Sequence, residues 1–339
     1  QILLSNFEIR KIDETEYEEW DKLVEGSPQG TIFHESSWIK ASTEDYGIYG
    51  YFKNGKLSAG IPFVRSKLKL GIKKLHSPPS TPYFGIVYKE NKGKYVTNLS
   101  DEKSISMAII KKLKEEFDSI TISFSPFVID IQPFIWEGFS CNVKYTYMIQ
   151  IHDLDLVWND MDAKRRNDIV KAEKDGVYIE PSDDFEQTIE LVKKTFDRQR
   201  KQVNFISTAI IYNNMLSDKG RCKSFLARDN SGKTIGAVYI IWDQKRSYYL
   251  FGGYDSEEKH HGASAMATWE AIKFTKNVLG LNCFDFEGSM VPAIETYFRK
   301  FGGKLTPYYT VNWMKPCIET VSHAKKSIKF ALNCIKHRK

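Results

Sequence analysis

Cys283, Asp285 and Glu287 alternate along a short stretch, Cys283-Phe284-Asp285-Phe286-Glu287, and Gly288-Ser289 follows at once. On a strand this spacing sets the two carboxyls on one face and the phenylalanines on the other. A carboxylate held at the end of a core strand can take a proton from an attacking amine or hydroxyl, which is general-base work. Glu287 is the first candidate and Asp285 the second. The competing structural roles are an ion pair for Asp285 and a helix cap for Glu287. Downstream, residues 293–300 have a helical spacing that turns Ile294, Tyr297, Phe298 and Phe301 inward and leaves Arg299 and Lys300 to project elsewhere.

Other residues suit ligand contact. Gly252 and Gly253 end a strand at 247–251, where missing side chains let backbone amides approach a ligand or simply begin a turn. Arg198 and Gln199 stand near the end of a helix at 184–199, and a guanidinium fork suits a phosphate or carboxylate. Lys40, after Trp38, and Arg165 are weaker candidates for a diphosphate; charged helix surface also accounts for them. His260 and His261 are adjacent and no further ligand spacing is visible, so no metal site is expected. The five cysteines are odd in number, widely spaced and without a CxxC pair, which speaks against a disulfide framework.

The elements that must hold these residues read as mixed α and β. Strands are expected at 7–12, 48–53, 56–66, 83–88, 120–124 and 145–151, then at 177–180, 222–228, 234–242, 247–251, 283–286 and 307–313. Asn54-Gly55 is a strong hairpin signal between the second and third of these. Helices are expected at 14–25, 34–43, 104–117, 157–175, 184–199, 207–216, 261–279 and 293–300. The late part of the chain repeats an earlier arrangement. Ile131-Gln132-Pro133-Phe134, Gly138-Phe139 and Tyr145-Thr146-Tyr147-Met148 match Ile294-Glu295-Thr296-Tyr297, Phe301-Gly302-Gly303 and Tyr308-Tyr309-Thr310-Val311. Two copies of one unit, 1–151 and 152–316, agree with a length of 339 residues, which exceeds the usual growth of a single core.

A formal net charge of +6 is concentrated beyond Thr320, in Lys325, Lys326, Lys329, Lys336, Arg338 and Lys339, with no acid among them. With Val321, Ala324, Ile328, Leu332 and Ile335 these make residues 317–339 a basic amphipathic helix, able to dock on the second unit, an anionic membrane or nucleic acid. No apolar run approaches a membrane span, the first residues are too short for a secretory signal, and reduced thiols fit a cytoplasmic setting.

The segments Lys164-Arg165-Arg166-Asn167-Asp168 through Gly176-Val177, Tyr249-Leu250-Phe251-Gly252-Gly253-Tyr254, and Phe284-Asp285-Phe286-Glu287-Gly288-Ser289 with Tyr297-Phe298-Arg299-Lys300-Phe301-Gly302-Gly303 resemble the Fem-type tandem GNAT acyltransferases. The resemblance spans nearly the whole second unit and, more loosely, the first. It implies two GNAT-like domains of mixed sheet plus the C-terminal helix, and direct acyl transfer to an amine or hydroxyl of a cell-envelope or polysaccharide precursor. It implies no tightly bound cofactor. The donor it implies would be acyl-CoA or an aminoacyl-tRNA, the latter as in peptidoglycan-bridge aminoacyltransferases. A catalytically silent ligand-binding protein on the same fold is the alternative from another class. The donor would lie where strands 247–251 and 283–286 splay apart. Lys259, Gly262, Ala263 and Ser264 fall where acetyl-CoA-binding relatives cradle pyrophosphate, beside the unhelpful Glu257 and Glu258. Arg299 or Lys300 would assist the acyl group, Tyr297 is an alternative protonating phenol, and Arg198, Gln199, Tyr254, Lys40 and Arg165 would meet the acceptor.

Overall fold

The computed structural model describes residues 7–318 apart from 69–70, 199–205, 256, 258–259 and 289. The basic tail expected at 317–339 therefore lies almost wholly outside the described residues, as do Gln199 and Lys259.

The first half runs β1 (Phe7–Lys11), α1 (Tyr17–Gly26), α2 (Ser36–Ser42), β2 (Tyr46–Lys53), β3 (Lys56–Lys67), β4 (Lys73–His76), β5 (Val87–Tyr88), α3 (Tyr95–Glu116), β6 (Ser119–Ser123), α4 (Gln132–Trp136) and β7 (Ser140–Gln150). Asn54 and Gly55, at φ 52° and 74°, close the two-residue β2–β3 hairpin, whose two positive-φ positions few other pairs can fill. The second half runs α5 (Leu154–Asp160), α6 (Ala163–Lys174), β8 (Tyr178–Ser182), α7 (Phe185–Arg198), α8 (Ile206–Asp218), β9 (Cys222–Arg228), β10 (Thr234–Trp242), β11 (Ser247–Tyr254), α9 (Ala263–Asn277), β12 (Cys283–Asp285), α10 (Pro292–Arg299) and β13 (Lys304–Met314). The single helix expected at 157–175 is two: Asp162 accepts hydrogen bonds from the amides of Lys164 and Arg165 and starts α6 afresh. The strand expected at 83–88 shrinks to β5, and β4, in which Leu75 is the one apolar residue, had no strand signature.

The strands form one continuous sheet in the order β1-β2-β3-β4-β6-β13-β7-β12-β11-β10-β9-β8, with β5 paired to β3 off this path. Within it the repeat is plain. Each half lays down four antiparallel strands, crosses by a helix (α3 or α9) to a fifth strand parallel to the fourth, and ends in a long strand after a short helix. The two long strands are exchanged. β7 pairs with β12 of the second half, β13 pairs with β6 of the first, and β7 and β13 pair with each other. The Phe124 amide donates to the Tyr309 carbonyl at 2.9 Å, and the Phe286 amide donates to the Tyr147 carbonyl at 3.0 Å. These are equivalent bonds at one spacing, and they make Ser123 and Ser125 the first-half counterparts of Asp285 and Glu287.

The halves also share a core. Phe33, Trp38 and Tyr83 are buried against Tyr212, Tyr239, Tyr248 and Tyr308, and Trp38 stacks on Tyr212 with ring centres 3.8 Å apart. Arg221 makes a two-pronged ion pair with Glu35, both bonds 2.8 Å, largely out of water. His34, fully buried, accepts the Gly85 amide on Nε2 at 3.2 Å, so its proton sits on Nδ1 and is donated to Thr31 Oγ1 at 2.7 Å. Burial first, then Lys245, pushes its pKa down to about 3, and the folded protein keeps it neutral. The unfolded chain binds the extra proton once pH falls below about 6.5. Stability is therefore present in full above that value and is lost as pH falls toward 3, by about 1.4 kcal/mol per unit. Urea unfolding at pH 7 and pH 5 should show this loss, and His34→Gln should flatten it.

Candidate functional site

β11 and β12 pair in parallel only at Ser247–Phe284 and Tyr248–Asp285; β12 then stops while β11 continues to Tyr254. Strand amides point alternately to the two sides, so every second amide of β11 beyond Tyr248 faces the gap rather than β10. The gap opens on a cavity of about 460 Å³. Tyr249, Phe251, Phe286 and Phe298 supply much of its wall, and Glu287 and Ser264 are among its few polar groups. The equivalent place in the first half, beyond Leu75–Ile120, is closed by the chain itself. The Phe84 amide donates to the Ser123 carbonyl at 2.7 Å, and Gly85 lies so close to Phe124 that a Cβ would come within 2.5 Å of its ring. One splay is open and one is filled.

Glu287 leaves strand geometry. Its φ is +59° and that of Gly288 is +82°, two successive left-handed residues, and a Cβ on Gly288 would lie 2.0 Å from the Tyr145 carbonyl oxygen. The turn aims the carboxyl at the cavity, where Oε1 is out of solvent and has no hydrogen-bond partner. Burial, then the charge of Asp285, pushes the Glu287 pKa well above the usual carboxylate range. Asp285 lies behind it, fully buried. Its carboxylate accepts from Thr146 Oγ1 at 2.7 Å, from Tyr83 Oη at 3.0 Å and from the Glu287 amide at 2.8 Å. Burial raises its pKa too, against the hydrogen bond from Thr146. The alternation read from the sequence thus ends at Phe286, and the two acids have different surroundings.

Several residues singled out from the sequence line this cavity: Gly252, Gly253, Tyr254, Ser264, Glu287 and Tyr297. The glycines have packing reasons of their own. A Cβ on Gly252 would meet the Tyr249 hydroxyl at 1.8 Å, and one on Gly253 would meet the α7 backbone at Leu191 at 2.5 Å. Tyr297 directs its hydroxyl proton at the Ser264 carbonyl, 2.9 Å away, and shares a 2.8 Å contact with Thr268 Oγ1. At the start of α9, the Gly262 amide donates to His260 Nδ1 at 3.2 Å, and Gly262 nearly touches α6, where a Cβ would lie 2.1 Å from the Asp168 carbonyl oxygen. His260 and His261 turn to Asp175 and Asp168, at 2.8 and 3.4 Å. The first-turn amides of Ser264 and Ala265, next to Ala263, are the donors this helix start can still offer.

The remaining candidates lie elsewhere. Lys40 is exposed and paired with Glu14 at 3.1 Å. Arg165 is buried rather than open to a diphosphate, with its guanidinium 4.5 Å from the Tyr297 ring centre and 4.8 Å from that of Phe301. Arg299 pairs with Glu295 at 3.0 Å, Lys300 caps α10, and Arg198 is the last residue of α7. Sequence reasoning missed Tyr83 and Thr146, which lie far along the chain from Asp285 and carry no local signal, and the cap formed by His260.

Residues 162–299 match the family described as acetyltransferase (GNAT) domain, and the strand splay with a crossover helix starting beside it agrees with that fold. The second half thus has the GNAT fold, and the whole chain has its tandem, Fem-like form. It is similar over 93% of its length to FemX, at 15% identity and a TM-score of 0.69, covering 99% of that chain. It is also similar to the C-terminal domain of an Agrobacterium fabrum protein described as a lysylphosphatidylglycerol synthetase (10% identity, TM-score 0.57, 93% and 95% covered). A third is a tandem GNAT protein from the clavulanic acid biosynthesis pathway (9%, 0.52, 91% and 99%). No curated protein matches the chain in sequence. Among the described residues no helix is long and apolar enough to cross a membrane.

Proposed function

We propose that the protein transfers an acyl group at the β11–β12 splay to an amine or hydroxyl of a cell-envelope or polysaccharide precursor, with Glu287 as general base. The observation that carries this is the unpartnered, desolvated Glu287 Oε1 on the wall of the open splay. The acceptor's proton passes to the ionised Glu287 as its nitrogen or oxygen bonds to the acyl carbonyl carbon. Gap-facing amides of β11 hold the oxyanion; when it collapses the donor's C–S or C–O bond breaks, and the departing thiolate or ribose oxygen takes the proton that Glu287 received. The apolar wall keeps water from competing for the acyl group. The envelope acceptor rests on the resemblance to Fem-type proteins and on the likeness to a protein named for a phospholipid product.

The donor reading is acyl-CoA, supported by the α9 start, where Ser264 lines the cavity and its amide and that of Ala265 suit a pyrophosphate. A second reading, aminoacyl-tRNA, is favoured by the His260 cap on the Gly262 amide, which withdraws one donor from that anion site. Single-turnover transfer from radiolabelled acetyl-CoA and from charged tRNA to an envelope-precursor mixture separates the two. Transfer from acetyl-CoA is the expected result. Transfer from charged tRNA alone selects the second reading, and transfer from neither turns the site into a ligand cleft without acyl-transfer activity.

A further inference from the structure

We propose that Tyr83, supplied by the first half of the chain, is a positioning residue for the Glu287 carboxyl and acts on it through Asp285. This rests on the reading of Glu287 as the base. The 81–86 segment that closes the first splay presents Tyr83 to the second: its ring is fully buried, edge-on to Tyr308 at 5.3 Å and to Phe33 at 6.0 Å. Its hydroxyl donates to both oxygens of Asp285, 3.0 Å from Oδ2 and 3.3 Å from Oδ1. Among the described residues it is the donor found for Oδ2, whereas Oδ1 also holds Thr146 and the Glu287 amide. The left-handed turn at Glu287–Gly288 is thus fixed at one end by Asp285 and at the other by contact with Tyr145 on β7.

A buried carboxylate oxygen without a donor is costly, so Asp285 deprived of the phenol must rotate or take up a proton. Either change loosens its grip on the Glu287 amide. The arrangement also gives the closed first half a role in chemistry that takes place in the second. Its own counterparts of the two acids, Ser123 and Ser125, carry no carboxyl, while the phenol it contributes reaches across 202 positions of sequence. The ionisable groups around Asp285 and Glu287 are Tyr83, Tyr308, Arg246, Tyr248 and Cys283.

The test compares full-length Tyr83→Phe, Asp285→Asn and Glu287→Gln with the wild type, using acetyl-CoA and alanyl-tRNA as donor probes. The readouts are melting temperature, kcat, donor KM and the pH dependence of kcat/KM. Tyr83→Phe is expected to lower kcat about tenfold, the worth of one charge-assisted hydrogen bond, with donor KM nearly unchanged. Asp285 stripped of the phenol either keeps its charge with one donor fewer, which moves the acid limb of the profile to higher pH, or takes up a proton, which moves it to lower pH; a shift in either sense is the expected result. Asp285→Asn removes the charge outright and should move the limb to lower pH, by about one unit or more. Difluorotyrosine at position 83, a stronger donor of the same shape, should move it in the opposite sense to Tyr83→Phe, and it supplies the comparison if Tyr83→Phe folds poorly. An unmoved limb in both position-83 variants overturns the proposal, as does a loss of rate that only follows a fall in melting temperature. If Glu287→Gln itself leaves the rate intact, the general-base reading falls and this inference with it. An intact rate in the position-83 variants alone overturns the inference and leaves that reading standing.

Discussion

Glu287→Gln should lower turnover by about 100- to 10,000-fold, the usual contribution of a positioned general base, with a melting temperature no lower than that of the wild type. The two effects part company because the carboxyl is poorly compensated. Oε1 has no hydrogen-bond partner, and the amide removes a group whose ionised form is disfavoured by burial and by Asp285. The same environment fixes the pH dependence. Glu287 must be ionised to accept a proton, and its pKa is raised, so the wild-type rate should climb with pH until that raised value is passed. Steady-state rates across pH beside a thermal melt check both statements. A variant with wild-type activity, or one whose lost activity tracks unfolding, would leave Glu287 a structural residue.

A fragment beginning at residue 152 should fail to fold, although the boundary expected at 151/152 falls there. That cut takes β7 away from β12 and from β13, and removing the first half also takes β6 from the other side of β13. β13 then has no neighbour left, and the inner edge of β12 is bare. With net stabilities of only about 5–15 kcal/mol and about 1 kcal/mol for each ladder hydrogen bond, this loss consumes the margin. Far-UV circular dichroism and urea titration of residues 152–318 should show no cooperative transition. A cooperative transition with native-like strand content would mean that the exchanged strands are dispensable. Restoring residues 140–151 alone should not rescue the fragment, because β6 would still be absent.

Much of this architecture was legible because local chemistry and global fold agree. β9 and β10 have the limits expected from their apolar runs, and Asn54-Gly55 sets the hairpin it signals. The start of α3 was hidden because Tyr95 and Val96 are 70% and 66% exposed, so no apolar periodicity marks its first turns. The break between α5 and α6 has no proline or glycine and depends on one aspartate cap. Strand exchange had no signature at all. β7 and β13 resemble one another as repeats must, and resemblance does not say which neighbour each will choose.

At the site, Asp285 and Glu287 stood out by spacing, yet their division of labour did not. The left-handed turn after Phe286 makes one a buried, hydrogen-bonded anchor and gives the other an unpartnered oxygen on a cavity. Arg165 illustrates the opposite error. A cation in a charged helix reads as surface, but here the guanidinium is packed over Tyr297 and Phe301 and supports α10.

The most direct test of acyl transfer at the open splay is a crystal structure with a non-hydrolysable donor, soaked in parallel as an acetyl-CoA thioether analogue and as an aminoacyl-adenosine amide. One of them should lie along Leu250 to Tyr254 with its acyl carbon facing Glu287. Density instead in the cavity of about 690 Å³ on the first half, lined by Tyr51, Tyr88 and Phe127, with the splay empty, would contradict the account.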